Sequence, residues 1–289
     1  MLFRSGAILP QLLEKEYYTL GKAANYSVSR ISGLVGYMLA GGVIALIGAV
    51  GALWIDAATF LISSAIIWSI RYKENLQGAK QTVKGVIQDF AEGFRFIRAS
   101  RTIQTVSLIG LLINFGIMPL TVFQTPYVSD YLKMGPETLS FIKILTSVGM
   151  ITGSALLPKL GKIKTPVIAV AAGVIMGAAL IEMSIAQSLS SLALKMGILT
   201  LSMVSIGFGG GLLNVVIGSS VMKAVPKEMM GRISGFLTAM MQASMPVASF
   251  ICSALAVYFH IPHILVFFGS LTLICSLALY FRKKLDALS

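Results

Sequence analysis

The sequence predicts an all-α fold: a polytopic membrane bundle of about eight transmembrane helices. Three observations predict it. The 289 residues are 56% hydrophobic and only 12% charged, with a mean hydropathy of +0.86, whereas soluble domains carry about a quarter charged residues. Eight long runs nearly free of charge follow one another with short polar punctuation, and about 20 apolar residues are what a helix needs to cross roughly 30 Å of hydrocarbon. The 23 lysines and arginines are gathered in alternate connections. This composition excludes an ordinary soluble enzyme. It also excludes a disordered chain, which needs low hydrophobicity, and a nucleic-acid binder, which needs its basic residues clustered on a polar surface.

The N-terminal stretch lacks a continuous apolar core and soon carries Glu14, Lys15, Glu16 and Lys22, so it does not read as a cleaved signal peptide. The first two spans cover 28–47 and 52–71. Ser32, Gly36 and Ala40 form a small-residue face on the first, suited to close helix packing. Next comes the longest polar stretch. Within it Val83, Val86, Ile87, Phe90, Phe94 and Ile97 recur at helical spacing, with Lys84, Gln88, Glu92, Arg95 and Arg98 on the remaining faces, the pattern of an amphipathic helix at the membrane interface. It serves either as a strap joining two bundles or as a plain surface linker. Six more spans follow at 103–124, 139–158, 165–185, 194–220, 233–257 and 262–281. None alternates like a barrel strand, and lipid satisfies no free backbone N–H or C=O, so each is a helix. The chain thus divides into a two-helix part at 1–72, an amphipathic linker at 73–102 and a six-helix bundle at 103–289.

Twenty of the 23 basic residues fall on one side of this arrangement, and only Lys133, Lys143 and Lys195 on the other. The positive-inside rule makes the first side cytoplasmic and places both termini there, in agreement with an even number of spans. The net charge of +12 is therefore topological and implies no nucleic acid. The sequon Asn25-Tyr-Ser27 falls on the cytoplasmic side and is discounted. Cys252 and Cys275 stand singly in apolar runs and read as inert thiols. His260 and His263 bracket a tight external turn without further ligands, so no metal site is expected. Gly207-Phe-Gly-Gly-Gly211 lies inside a span without the strand that a nucleotide-binding loop follows, and reads as close helix contact or local flexibility. Pro119, Pro126 and Pro246 loosen their spans in a similar way. A weak repeat relates Pro10, Glu16 and Gly21-Lys22 to Pro226, Glu228 and Gly231-Arg232.

The segment from Asn214 to Gly235, containing Pro226, Glu228, Gly231 and Arg232, resembles the junction of the tenth and eleventh helices in the major facilitator superfamily. The likeness is greatest to the branch of macrolide-efflux and siderophore exporters. Ala7-Ile-Leu-Pro10 and Gly21-Lys-Ala-Ala-Asn25 resemble that branch's approach to its fifth helix, and Trp54-Ile-Asp56-Ala-Ala-Thr-Phe60 its sixth. The resemblance implies that the eight spans are helices five to twelve of a major-facilitator-like, N-terminally truncated chain. The family's Gly-x-x-x-Asp-Arg-x-Gly-Arg loop falls on the connection after 139–158. Lys159, Gly161 and Lys162 fit it there, while Ser154 and Pro158 stand where Gly and Asp would be. Gly161, Lys162, Gly231 and Arg232 are the implied gating-loop residues.

An ionisable side chain within the membrane is costly unless it faces a cavity or a partner. Arg30 and Lys143 are accordingly either binding groups for an anion or snorkelling interfacial anchors. Asp56 and Glu182 are the carboxylates inside spans; each is either a proton carrier or a structural hydrogen-bonding group. Asn114, Gln124, Asn214, Gln242 and Ser244 either line a substrate cavity or bond neighbouring helices. Phe115, Phe123 and Phe236 either form its apolar wall or simply pack.

The expected function is secondary active transport across the cell inner (cytoplasmic) membrane: efflux of a small hydrophobic or amphipathic compound in exchange for protons, by alternating access. The expected partners are the small-molecule substrate, protons and the lipid bilayer, with no cofactor and no catalytic residues, since no hydrolysis motif or paired catalytic carboxylates appear. The alternative is a non-transporting truncated or split membrane fragment, or one that assembles with a separate N-terminal transporter fragment.

Overall fold

The computed structural model describes residues 13–69, 83–135, 137–160, 165–226 and 229–281, and among them there is no strand. The helices are α1 (Tyr18–Ser69), α2 (Val83–Ala99), α3 (Arg101–Pro126), α4 (Glu137–Leu156), α5 (Thr165–Ile185), α6 (Leu192–Ala224), α7 (Met230–Ala256) and α8 (Ile261–Phe281). Among the described residues, six stretches are long and apolar enough to span a membrane: Arg101–Tyr131, Thr138–Leu160, Val167–Ser188, Leu192–Ala224, Met230–Ala256 and Ile261–Leu279, with a shorter apolar helix at Val50–Ile66. The six coincide with the last six spans expected from hydropathy.

The two expected spans at 28–47 and 52–71 differ in detail, because helical hydrogen bonding runs from Tyr18 to Ser69 and is broken at Gly48, which adopts φ 71° and ψ 172°. That region, with φ positive and ψ near 180°, is essentially restricted to glycine and costs other residues about 1–3 kcal/mol, so the break falls where the sequence supplies a glycine. By contacts the chain forms two compact units, Met1–Arg30 with Asp89–Ser289, and Ile31–Gln88. In the smaller unit the residues from Leu53 to Ile66 are exposed on every face of the helix. The small-residue face of Ser32 and Gly36 is open too: a side chain at Gly36 would meet nothing within 4 Å.

In the larger unit, α4 and α6 make the most extensive pairing, followed by α5 with α8 and α5 with α6. Glycine is what allows it. Gly207 and Gly211, one turn apart on α6, lie against the carbonyls of Thr146 and Met150 on α4, while Gly149 and Gly153 of α4 lie against the backbone of Val204 and Phe208. These contacts advance in the same direction along both helices, so α4 and α6 run parallel. Gly209, on the other side of α6, faces Ala172 and Met176 of α5. Gly177 and Gly269 bring α5 and α8 equally close, a side chain at Gly177 falling 2.7 Å from the Gly269 carbonyl oxygen. Lipid tails are as apolar as leucine, so van der Waals contact at this range, and not water exclusion, holds such helices together. The core around the seams includes Ala172, Met176, Met203, Ile206, Val215 and Phe268.

Connections are capped. Ser100 accepts the Ile103 amide at 3.4 Å and starts α3, while Gln104 donates to the Arg98 carbonyl at 2.7 Å, tying α2 to α3. After Pro126 the chain widens into a π-helical turn, Tyr127–Tyr131. Tyr127 donates to the Met183 carbonyl on α5, and the Tyr131 hydroxyl accepts the first amide of α8, from Ile261, at 3.4 Å. Where its side chains are described, α2 keeps the expected polar face of Glu92, Arg95 and Arg98 exposed and buries Ile97; Phe94 of the expected apolar face is exposed instead, and Phe96 is partly buried. Ile97 and Phe96 join Tyr18, Ile103, Val221, Met230 and Ile233 in a second apolar cluster. The side chains of Val83, Lys84, Val86, Ile87, Gln88 and Phe90 lie outside the described residues.

Two outcomes follow from the seams and the joint. Gly207→Ala or Gly149→Ala should destabilise by about 1–3 kcal/mol through overpacking, whereas Gly33→Ala, which meets nothing within 4 Å, should be nearly neutral. Melting midpoints of the three variants in detergent check this. Gly48→Ala should lose about 1–3 kcal/mol from backbone strain alone, read in the same melts.

Candidate functional site

The first turns of α1 carry a polar face. Lys22, Tyr26 and Arg30 recur every four residues, and this spacing stacks them on one side of a helix. The face packs against α4 and α6. The Tyr26 hydroxyl donates to the Met150 sulfur at 3.6 Å. Ser27 and Ser154 hydroxyls meet at 2.7 Å, and since Ser154 donates to the Ile151 carbonyl at 2.9 Å, Ser27 is the donor of the pair. The Lys22 stem lies across Gly218 of α6, where a side chain would crowd Lys22 Cδ at 3.0 Å. Glycine at 218 thus gives the lysine its channel.

Arg30 sits with its guanidinium carbon 4.8 Å from the centroid of the Tyr26 ring, a cation–π arrangement. Its Nε is buried without a hydrogen-bond partner. Among the described residues, no carboxylate lies within ion-pair distance of Lys22 or Arg30. Asn214 lies one turn before Gly218 on α6; its amide donates to the Gly210 carbonyl at 3.3 Å, and the side chain is exposed although Leu212, Leu213, Val215 and Val216 around it are buried.

The other expected site residues are dispersed. Asn114 donates to the Met241 carbonyl at 3.3 Å, bonding α3 to α7; the neighbouring Gln242 is exposed, and Ser244 donates to the same carbonyl at 2.6 Å. Gln124 is buried on α3 and Lys143 exposed on α4. Glu182 of α5 accepts from the buried Ser202 of α6 at 3.5 Å. Asp56 is exposed, and its backbone carbonyl accepts from Thr59 at 2.7 Å. The three aromatics pack. Phe115 stacks on Phe268 with centroids 5.3 Å apart, Phe123 is in the core, and Phe236 meets Phe94 at 6.5 Å. Of the gating-loop residues, Gly231 is exposed and Arg232 pairs with Glu92 of α2 at 3.1 Å, both side chains about half exposed. Gly161 and Lys162 lie outside the described residues. The rings of His260 and His263 are 6.1 Å apart, with no group of three metal-ligating side chains among the described residues.

Sequence reasoning picked out Arg30 but missed Lys22, Tyr26, Ser27 and Ser154 as its surroundings. The recurrence of Lys22, Tyr26 and Arg30 at four-residue intervals was a usable signal; the serine pair, 127 residues apart, left none.

A model of the Major Facilitator Superfamily matches residues 5–249. The uncharacterized MFS-type transporter YvqJ of Bacillus subtilis (strain 168) is 23% identical over 175 residues, 59% of this chain and 42% of that protein. The multidrug efflux pump Tap of Mycobacterium tuberculosis is 22% identical over 249 residues, 83% of this chain and 57% of the pump; Tap of Mycolicibacterium fortuitum is 21% identical over 257, 86% and 60%. The chain therefore spans about half the length of these relatives. A crystal structure of a bacterial homologue of the iron transporter ferroportin, in an outward-facing state, matches in fold with a TM-score of 0.60 at 15% identity, over 95% of this chain and 67% of that one.

The Asn114 bond gives a measurable expectation. Asn114→Leu should destabilise the bundle by about 1 kcal/mol, the usual worth of one interhelical hydrogen bond in a membrane, as a lower melting midpoint in detergent. An unchanged midpoint would remove Asn114 as a link between α3 and α7.

Proposed function

The chain belongs to the Major Facilitator Superfamily, and from that premise we propose that it works in proton-coupled efflux of a small hydrophobic or amphipathic compound across the cell inner membrane. The carrying observation is the family match across residues 5–249, which takes in both α1 and most of the six-helix part. The efflux relatives support the direction of transport. Alternating access moves one bundle against another around a fixed site. In this chain the contacts that must part at the basic end are Tyr26 with Met150, Ser27 with Ser154, and Lys22 with Gly218. They are few and weakly polar, as a reversible closure requires. The positive-inside rule makes this end cytoplasmic, with both termini on that side.

Arg30, Asn214, Gln242 and Lys143 are the substrate-facing candidates, each retaining exposure on its helix. Asn114 and Gln124 are engaged or buried, and serve as cavity groups only if α3 and α7 separate. Glu182 is the better placed of the two carboxylates, because it lies between α5 and α6 beside Ser202, while Asp56 stands on an exposed limb. Gly231 and Arg232 form a gate that engages α2 through Glu92.

A second reading has one observation in its favour. The helix from Leu53 to Ile66 is exposed all round, so the chain can require a separate N-terminal fragment to cover that limb before it transports. One experiment addresses both. In a bacterial host stripped of its own efflux pumps, expression of the chain should lower accumulation of the dye Hoechst 33342, a protonophore should abolish the effect, and Glu182→Gln should abolish it at equal membrane abundance. Restoration only on co-expression of a four-helix N-terminal fragment would establish the second reading, and no effect in either format would overturn both.

A further inference from the structure

We propose that Arg30, with Lys22 on the same helix face, forms an anion-binding site on the first turns of α1, taking a carboxylate or phosphate group. The orphaned guanidinium carries the inference. Arg30 Nε is buried and donates to nothing, and an unmade hydrogen bond of this kind is expensive, more so at a charged group. Tyr26 covers the guanidinium from one side at 4.8 Å. The ring compensates part of the charge and the Tyr26 side chain also engages the guanidinium, but Nε is left without an acceptor. Guanidinium N–H groups are the donors that a carboxylate or phosphate takes up in paired hydrogen bonds.

The second cation stands on the same face. Lys22 is two turns from Arg30, about 12 Å along the helix, and its stem is laid against Gly218 of α6. Protein does not neutralise either charge: among the described residues, neither Lys22 nor Arg30 has a carboxylate within ion-pair distance. The neighbours are a phenol, two serine hydroxyls already satisfying one another, and the exposed Asn214 amide one turn from Gly218. Among the described residues, two cations at the basic end of α1 are flanked only by neutral polar groups, which leaves room for an anion to supply the missing charge. Arg232, by contrast, is paired with Glu92.

The inference deepens the efflux reading by giving its substrate class an acidic group, and it rests on that reading only for what happens to the ligand after binding. The test is therefore a binding measurement on the full chain in phosphatidylcholine nanodiscs, with 11-(dansylamino)undecanoic acid and its methyl ester as probes. The acid should bind saturably. Arg30→Gln should weaken it about tenfold, as expected for losing a charge-assisted paired contact. Arg30→Lys should weaken it less, and Lys22→Gln by several-fold, while the ester binds all four proteins alike. The ester also checks that each variant is folded. Equal affinity for acid and ester, or an unchanged acid affinity in Arg30→Gln, would overturn the site. Repeating the titration with one third phosphatidylglycerol separates two sources of the anion. Persistent acid binding supports a soluble ligand, and complete displacement assigns the cations to a lipid headgroup and overturns the substrate class. Binding of the acid without dye efflux in cells would leave the anion site standing and remove the export reading.

Discussion

The approach of α4 to α6 through glycine is the constraint on which the rest of the larger unit depends. In lipid, helices gain little by hiding apolar surface from one another, so the energy of assembly comes from contact distance. Gly149 and Gly153 on one helix and Gly207 and Gly211 on the other let backbone touch backbone. Because Gly209 turns to the opposite side and meets α5, a single stretch of α6 locks two neighbours at once. Packing of this kind is rigid. It fixes α4 and α6 as one platform, and the polar face of α1 is laid on that platform at Met150, Ser154 and Gly218.

The mode of attachment changes with position. Inside the six-helix part, polar bonds join helix to helix beside the glycine seams: Tyr127 to the Met183 carbonyl, Ser202 to Glu182, Asn114 to the Met241 carbonyl. Where α1 meets this part, a thioether, a pair of hydroxyls and the stem of a lysine make the contact. A transporter of the rocking type needs such a division, with stable halves and a seam between them that opens without breaking strong interactions.

What was legible in the sequence was what local chemistry decides. Hydropathy located the last six spans, because each run of apolar residues carries its own reason to be a helix in lipid. The same reasoning separated 28–47 from 52–71 but saw only a loop between them, whereas one residue, Gly48, makes the break by adopting a positive-φ conformation within an otherwise continuous helix. The glycine cluster of α6 read correctly as close contact, since glycine within a span has few other uses. The small-residue face of Ser32 and Gly36 read the same way and is open; small residues permit an approach but do not supply the neighbour. The candidate site was less legible. Arg30 stood out as a charge in an apolar run, yet Tyr26 beside it and Ser154 across from it depend on which helices are adjacent. For Asn114 and Phe115 the sequence left cavity lining and helix contact both open, and here Asn114 bonds the Met241 carbonyl of α7 and Phe115 stacks on Phe268 of α8.

The limb beyond Gly48 also has an optical consequence. The chain contains two tryptophans, and both lie there: Trp54 is 74% exposed and Trp68 is 90% exposed. The six-helix part holds none. Intrinsic indole emission is thus confined to one short stretch, where its colour and quenching register what surrounds that stretch, whether acyl chains, water or a neighbouring helix, with no contribution from the densely packed remainder.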